Sequence, residues 1–469
     1  MDRRLFLAGS AALTAVAGSA RAQVDDLRAA AREAWLYGLP LIETAGARAR
    51  ALGAPGAAQN SFVHARNLAT PASRAVTTPN VDTLYSSAWL NLSAGAVTVT
   101  VPPTGQRYFT LALMDMYTNN FAVFGARTSG VDGGEFTLIA PPGHFAVGDV
   151  SLPRPRLPHL GQSVHAPGSW VWAMARTLVA DDQDLAAAHA IQDGLAIRAR
   201  SRVTTPVTPV RRDAAWNDYF FSVQQLIDEN PPPLADADFF RRIAPIQLGM
   251  RDGFERARFA DAEVADIEAG VSDARALLAG ARGRANIIQG WVYPKEDLGD
   301  YGQDFVGRAA TALGGLAALP RAEAMYMRAA APDGSLLFSN AGLYRLSLPG
   351  PLPVDGFWSL TMYEATPEGQ FFLTGNPIGR YAIGDRTSGL YRRENGAVDI
   401  WIGREDPGTH SANWLPAPAR GPFALVMRAY LPKSDLLEGR YRLPPVEPVG
   451  GEFRNLGPAG DPPRRRRRR

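Results

Sequence analysis

The sequence contains no cysteine, which excludes disulfide staples, thiolate nucleophiles and cysteine-bound metals. Stability must come from burial, and a chain of 469 residues has the surface-to-volume advantage for that. Histidine is scarce: His64, His144, His159, His165, His189 and His410 are scattered, and no two share a helical face. Only His144, His159 and His165, with a carboxylate, would suit zinc, and solvated-loop positions account for them better, so no metal and no cofactor are expected. Phosphate loops, two-histidine metalloprotease helices and serine elbows are missing. The nearest approach, Gly161-Gln162-Ser163-Val164-His165, lacks the second glycine of an elbow and lies in a proline-rich stretch. No internal run is long and apolar enough to span a membrane.

What is present begins with Asp2-Arg3-Arg4-Leu5-Phe6-Leu7, followed by a weakly apolar Ala, Gly and Ser stretch to about Ala17. That order is a signal peptide's, and the arginine pair points to the twin-arginine route, with an ordinary export signal as the alternative. Ala20-Arg21-Ala22 is a small-x-small cleavage pattern, so residues 1–22 are expected to be removed and a periplasmic chain to start at Gln23. The formal net charge of +3 falls to +1 without Asp2, Arg3, Arg4 and Arg21, and to −5 without the six arginines 464–469. A mildly acidic body argues against nucleic-acid binding. The arginine run follows a Gly- and Pro-rich segment in an expected disordered tail, 449–469. It reads as a solvated end or as a contact for anionic surfaces.

Leu27, Ala31, Trp35, Leu39 and Ile42 recur at helical spacing, predicting an amphipathic helix from Asp26 to about Ala51. From Thr83 to Val179 the pattern changes to short β-rich runs: 84–92, 97–101, 108–117, 121–124, 136–139 and 170–179. Asp181 stands where a helix N-cap belongs. Helices are then expected at 216–229, 235–248, 261–278 and 300–319, with strands returning at 336–348, 357–363, 371–374, 397–402 and 423–430. The expected fold class is therefore α+β: two antiparallel β-sandwich regions, 23–180 with the N-terminal helix and 331–448, joined by a mainly helical 181–330.

Four motifs carry a resemblance: Pro79 to Leu90 (PNVDTLYSSAWL), Asp355 to Tyr363 (DGFWSLTMY), Asn376 to Thr387 (NPIGRYAIGDRT) and Asn413 to Pro418 (NWLPAP). Together they resemble bacterial proteins pairing domain of unknown function 1254 with domain of unknown function 1214, over most of Ala29 to Val446. The resemblance implies a two-domain fold containing β-sandwich, jelly-roll-like in its C-terminal part, and frequent export. It implies no activity.

Period-2 alternation places Leu84, Ser86, Ala88 and Leu90 on one strand face and Tyr85, Ser87 and Trp89 on the other. Asn80 and Asp82 occupy the preceding turn, where they either project into a cleft or bond the turn backbone. Phe109, Leu111, Leu113, Asp115 and Tyr117 would share a face, and a carboxylate ending an apolar stripe is expected to have a raised pKa. Asp82 and Asp115 are thus the candidate catalytic pair, should the fold bring them together; alternatively Asp115 pairs with Arg127 or caps a loop. In the C-terminal half Tyr363, Arg380, Tyr381, Asp385, Arg386, Asn413 and Trp414 offer guanidinium and aromatic groups to a ligand, or pin long loops. With Asn80, Tyr85, Trp89 and Tyr117 they form the candidate ligand-binding set.

Two main readings follow: a hydrolase or other acid/base enzyme on a small or oligomeric envelope or environmental substrate, and a non-catalytic binder of a small-molecule or oligosaccharide-like ligand. A sheet-edge homo-oligomer is a third. Convergence of Asp82, Asp115, Arg380 and Trp414 in one cleft would mark a functional site.

Overall fold

The computed structural model describes residues 3–141, 161–200, 204–250, 252–281, 286–331, 334–339 and 342–449, with side chains from Asp26 onward. Side chains of the expected signal peptide, His144, His159 and the terminal arginines lie outside the described residues.

The N-terminal half opens with helix α1 (Arg3–Leu52) and continues through β1 (Val63–His64), β2 (Thr83–Asn91), β3 (Val97–Val101), β4 (Phe109–Met114) and β5 (Asn120–Gly125). β6 (Gly134–Ile139), β7 (Ser163–His165), β8 (Trp170–Leu178), α2 (Leu185–Asp193) and β9 (Ala196–Arg198) follow. Two sheets form, in the orders β1-β2-β8-β4-β5 and β7-β6-β3-β9. They pack face to face because alternation sends Ala88, Leu90, Leu111, Val171 and Ala175 of one sheet against Val97, Val99, Phe136 and Leu138 of the other. As expected, Asp181 caps the next turn, its carboxylate accepting from the amides of Gln183 and Asp184.

Helices α3 (Trp216–Glu229), α4 (Ala237–Arg242), α5 (Asp261–Ala281) and α6 (Phe305–Gly314) come next, with the short strands β10 (Ile287–Ile288) and β11 (Trp291–Val292) between the last two. Their apolar sides share one core with α1. Gly270 in α5 lies so close to α1 that a Cβ would run into the Arg28 carbonyl oxygen, so the crossing requires glycine. The C-terminal half contains β12 (Ala324–Ala329), β13 (Leu337–Phe338), β14 (Tyr344–Leu348), β15 (Trp358–Ala365), β16 (Phe371–Phe372) and β17 (Ala382–Gly384). It ends with β18 (Val398–Gly403), β19 (Trp414–Pro416), β20 (Pro422–Tyr430), α7 (Ser434–Leu437) and β21 (Val446–Pro448). An eight-stranded sheet built on β12-β20-β15 faces the four-stranded β19-β18-β14-β21. Met325, Met327, Leu360, Leu425 and Met427 meet Leu346, Ile400 and Ile402 between them.

The class is α+β, with several departures from the sequence reading. β6–β7 and β18–β19 pair in parallel, so the smaller sheets are not purely antiparallel. β9 through β12 lie inside the stretch expected to be mainly helical; β12 reads Ala-Met-Tyr-Met-Arg-Ala, rich in helix formers, and pairing along β20 overrides that preference. The helix expected at 235–248 is only α4 flanked by 3-10 turns, and the one expected at 300–319 starts at Phe305, where Asp304 caps it through the amide of Gly307. The strand expected at 336–348 is split into β13 and β14.

Three layers meet on the outer face of the β2-β8-β4 sheet. The helices cover it around Trp89 and Trp170. The eight-stranded sheet covers it around Tyr108, Ala112 and Val123, through Ala324, Phe357 and Tyr430.

Candidate functional site

Asp82, just ahead of β2, is buried at 4% exposure and reaches into the C-terminal half. Its carboxylate accepts from Ser359 Oγ at 2.6 Å, Arg386 Nη2 at 3.1 Å and Tyr430 Oη at 3.2 Å. Asn80 Oδ1 accepts from the amides of Asp82 and Thr83, as turn asparagines do, while its Nδ2 donates to Tyr430 Oη at 2.8 Å. Arg386 also donates to the Val179 carbonyl at 2.8 Å and lies over the Phe357 ring. Tyr363 Oη donates to the Pro79 carbonyl and accepts from Arg428, which also reaches the Thr78 carbonyl. Apart from the local Asn80 Oδ1 bonds, the Asp82 carboxylate and the Thr78, Pro79 and Val179 carbonyls are all engaged across the two halves, the geometry of a tie.

Asp115 lies elsewhere. β4 ends at Met114 after a register shift at Leu113, so Asp115 and Tyr117 leave the Phe109–Leu113 face and turn toward the helices instead of extending the stripe. The Asp115 carboxylate accepts from the amides of Tyr117 and Asn119 and from Asn119 Nδ2. Burial raises its pKa to about 6, opposed by those bonds and by the Arg308 guanidinium. Arg127 pairs with Glu323 at 2.8 Å, not with Asp115. Met114 is opposite Trp172 on β8, and the Asp82 carbonyl takes the Val179 amide. Trp172 to Val179 at about 3.3 Å per residue separates the two backbone positions by roughly 23 Å along the sheet. The two carboxylates form no acid/base pair.

Tyr117 donates to the Asn230 carbonyl. Arg308, at 1% exposure, lies among the rings of Tyr37, Phe305 and Tyr117, with Nε and Nη2 unpartnered. Nearby, a cavity of about 270 Å³ opens between α1, α4, α5 and α6 over Leu36, Phe239 and Phe305. Most of its polar groups have partners in or beside it: Arg242 with Glu33, Asp304 with Lys295, and Gln303 with Asp236.

The remaining C-terminal candidates pin loops. Arg380 donates to the carbonyls of Ala412 and Trp414, and Asn413 bridges Tyr391 and Asp399. Trp414 is buried, with Nε1 on the Gly403 carbonyl; Asp385 takes the Trp358 amide, and burial raises its pKa. Tyr381 packs beside Tyr363. Asp82, Asp115, Arg380 and Trp414 therefore do not converge. Among the described residues no group of three or more His, Asp or Glu side chains could hold a metal ion.

Tyr85 and Trp89 lie along a seam between the layers. Between the two covered ends of the outer face, Met114, Met174 and Ala317 form a small separate cluster flanked by Tyr85 and Trp172. Tyr85, Ser87 and Trp172 remain half-buried along this seam. Trp172 stacks on Trp89 with centroids 4.7 Å apart and donates from Nε1 to Ser87 Oγ. Arg176, at 4% exposure, lies over the Tyr85 ring and donates from Nη2 to the Ala317 carbonyl, while its Nη1 has no partner. Partly buried aromatics converging with a buried guanidinium that has one unpartnered nitrogen, at a junction of layers, make this the candidate site. Trp172, Met174 and Arg176 were not singled out in the sequence, although Trp170, Trp172, Met174 and Arg176 alternate on one face of an expected strand.

Residues 59–199 match the family model described as protein of unknown function DUF1254, and residues 323–434 that of protein of unknown function DUF1214. The chain pairs these two domains, in the order its motifs implied. The VPA0106 protein from Vibrio parahaemolyticus shares the fold, with a TM-score of 0.68 at 22% identity over 91% of this chain and 100% of that one. A putative uncharacterized protein from Burkholderia cenocepacia aligns with a TM-score of 0.43 at 12% identity, over 92% of this chain and 96% of that one. No curated protein matches the sequence.

Asp115 should leave a pH signature. Its folded-state pKa of about 6 exceeds the ordinary 3.8, so the folded state prefers the protonated acid. Its contribution is most favourable below about pH 4 and is lost as pH rises through 6, by up to about 3 kcal/mol. Asp115→Asn should remove that slope. In urea unfolding at pH 4.5 and 7.5, the variant should gain about 1–3 kcal/mol on wild type at the higher pH; an unchanged difference between the two pH values would refute the assignment.

Proposed function

We propose that this chain is exported by the twin-arginine route and works as a soluble periplasmic protein that binds a small molecule in the seam. One observation carries the reading: aromatic side chains from β2 and β8 stay half-buried where three layers meet, beside a buried arginine with an unpartnered nitrogen. Ligand sites favour such junctions, where apolar walls surround a few polar groups that fix orientation. The Trp89–Trp172 stack and the Trp172–Ser87 bond supply a pre-formed platform, which lowers the entropic cost of binding.

Acid/base catalysis by Asp115 is the second reading, favoured by a carboxyl that titrates at about 6. Against it stand the acceptors already committed to Tyr117 and Asn119 and, among the described residues, the absence of a second carboxylate acting on Asp115.

A thermal-shift screen of small aromatic and acyl compounds on the full chain tests the binding reading. At least one compound should raise the melting temperature by about 3 °C or more, and Trp172→Ala should abolish the shift. No responder, or a shift that survives Trp172→Ala, would remove the seam as the site; conversion of a responder to product, lost in Asp115→Asn, would favour the enzyme. For the export route, replacing Arg3 and Arg4 together by lysine should hold the protein in the cytoplasm. Unimpaired export of that variant would point to the general pathway instead.

A further inference from the structure

The polar end of the seam indicates what kind of molecule fits it. On the outer face of β8, Arg176 is opposite Tyr85 of β2 and Thr110 of β4. Tyr326, from the facing eight-stranded sheet, is half-buried and interacts electrostatically with Arg176 and Tyr85. Tyr108 and Glu323 also face the guanidinium. Of these neighbours Glu323 alone carries negative charge, and its Oε2 is taken by Arg127 Nε at 2.8 Å. Its Oε1 is buried without a hydrogen-bond partner and faces Arg176, so a single carboxylate answers two guanidiniums, Arg127 and Arg176, and the group keeps net positive charge where charge is expensive to bury. Arg176 Nη1 and Thr110 Oγ1 are both buried and unpartnered among the described residues. These two, with Tyr108 shared with the Glu323 carboxylate, make one end of an otherwise apolar strip polar, an asymmetric receptor.

Resting on the proposed binding role of the seam, we infer that its ligand is an amphipathic carboxylate. The head is received by Arg176 Nη1 with Tyr108 and Thr110, and the aromatic or acyl body lies along Trp172, Met174 and Tyr85. A carboxylate suits the site better than a phosphate dianion, because Glu323 stands close enough to oppose a second negative charge. The body must be apolar, since Met114, Met174 and Ala317 present no hydrogen-bonding side-chain group apart from weakly accepting thioether sulfur. Flat rings match the Trp172 and Tyr85 faces, and methionine adapts to either rings or acyl chains.

Calorimetric titration of the full chain with 2-naphthoate and with its neutral isostere 2-naphthamide tests this. Wild type should bind the acid at least about tenfold more tightly than the amide, as expected for a charge-assisted hydrogen bond in a desolvated site. Arg176→Gln should erase the preference, and Arg176→Lys, which keeps the charge, should retain part of it. The acid-to-amide ratio in wild type decides the question even if Arg176→Gln fails to fold. Equal affinities for acid and amide, both lost in Trp172→Ala, would overturn the carboxylate and leave the seam reading standing. Binding of neither probe, or binding that Trp172→Ala leaves untouched, would overturn both.

Discussion

The architecture depends on one buried carboxylate. Asp82 belongs to the N-terminal sheet pair, yet Ser359, Tyr430 and Arg386, the donors that satisfy it, all come from the C-terminal half. A carboxyl group removed from water is costly unless its hydrogen-bonding capacity is met, so this constellation favours the docking of the two halves that supplies those donors. Neighbouring bonds repeat the crossing: Asn80 to Tyr430, Tyr363 to the Pro79 carbonyl, and Arg428 to the Thr78 carbonyl. The Pro79–Leu90 motif reads first as a turn and a strand, and the structure makes it the plug of an interdomain socket.

That docking decides what happens to the outer face of the β2-β8-β4 sheet. The eight-stranded sheet takes the end near Arg176 and Tyr108, the helices take the end near Trp89 and Trp170, and neither covers Tyr85, Ser87 and Trp172 completely. The seam is thus a by-product of two covers meeting, positioned by a polar tie and by helices that cross at Gly270. At the helical end, Asp115 closes the β4–β5 turn and faces the boxed Arg308, a second buried polar centre that holds the turn against the helical layer.

Much of this was legible in the sequence, and what was not has a physical cause. Periodicity alone located β2, β8, β15, β20 and α3 to within a residue or two, because each has one face in a core. It also separated Leu84, Ala88 and Leu90 from Tyr85, Ser87 and Trp89 correctly. It failed at Asp115, where a register shift turns the chain off its stripe, and at β12, whose alanines and methionines favour helix until β20 pairs with them. The partners of Asp82 lie 277, 304 and 348 positions away, and a polar contact at that separation leaves no local pattern. Asn413, Trp414 and Arg380 looked like ligand contacts because polar and aromatic side chains on long loops serve either purpose; in the fold they hold the loops.

The most direct test of the account is a double-mutant cycle on Asp82→Asn and Arg386→Gln, read by urea unfolding. If Asp82 locks the halves, each single change should cost about 1–3 kcal/mol, and the double variant should be less destabilised than their sum by about 1 kcal/mol or more. Additive effects, or an Asp82→Asn variant within about 0.5 kcal/mol of wild type, would contradict it.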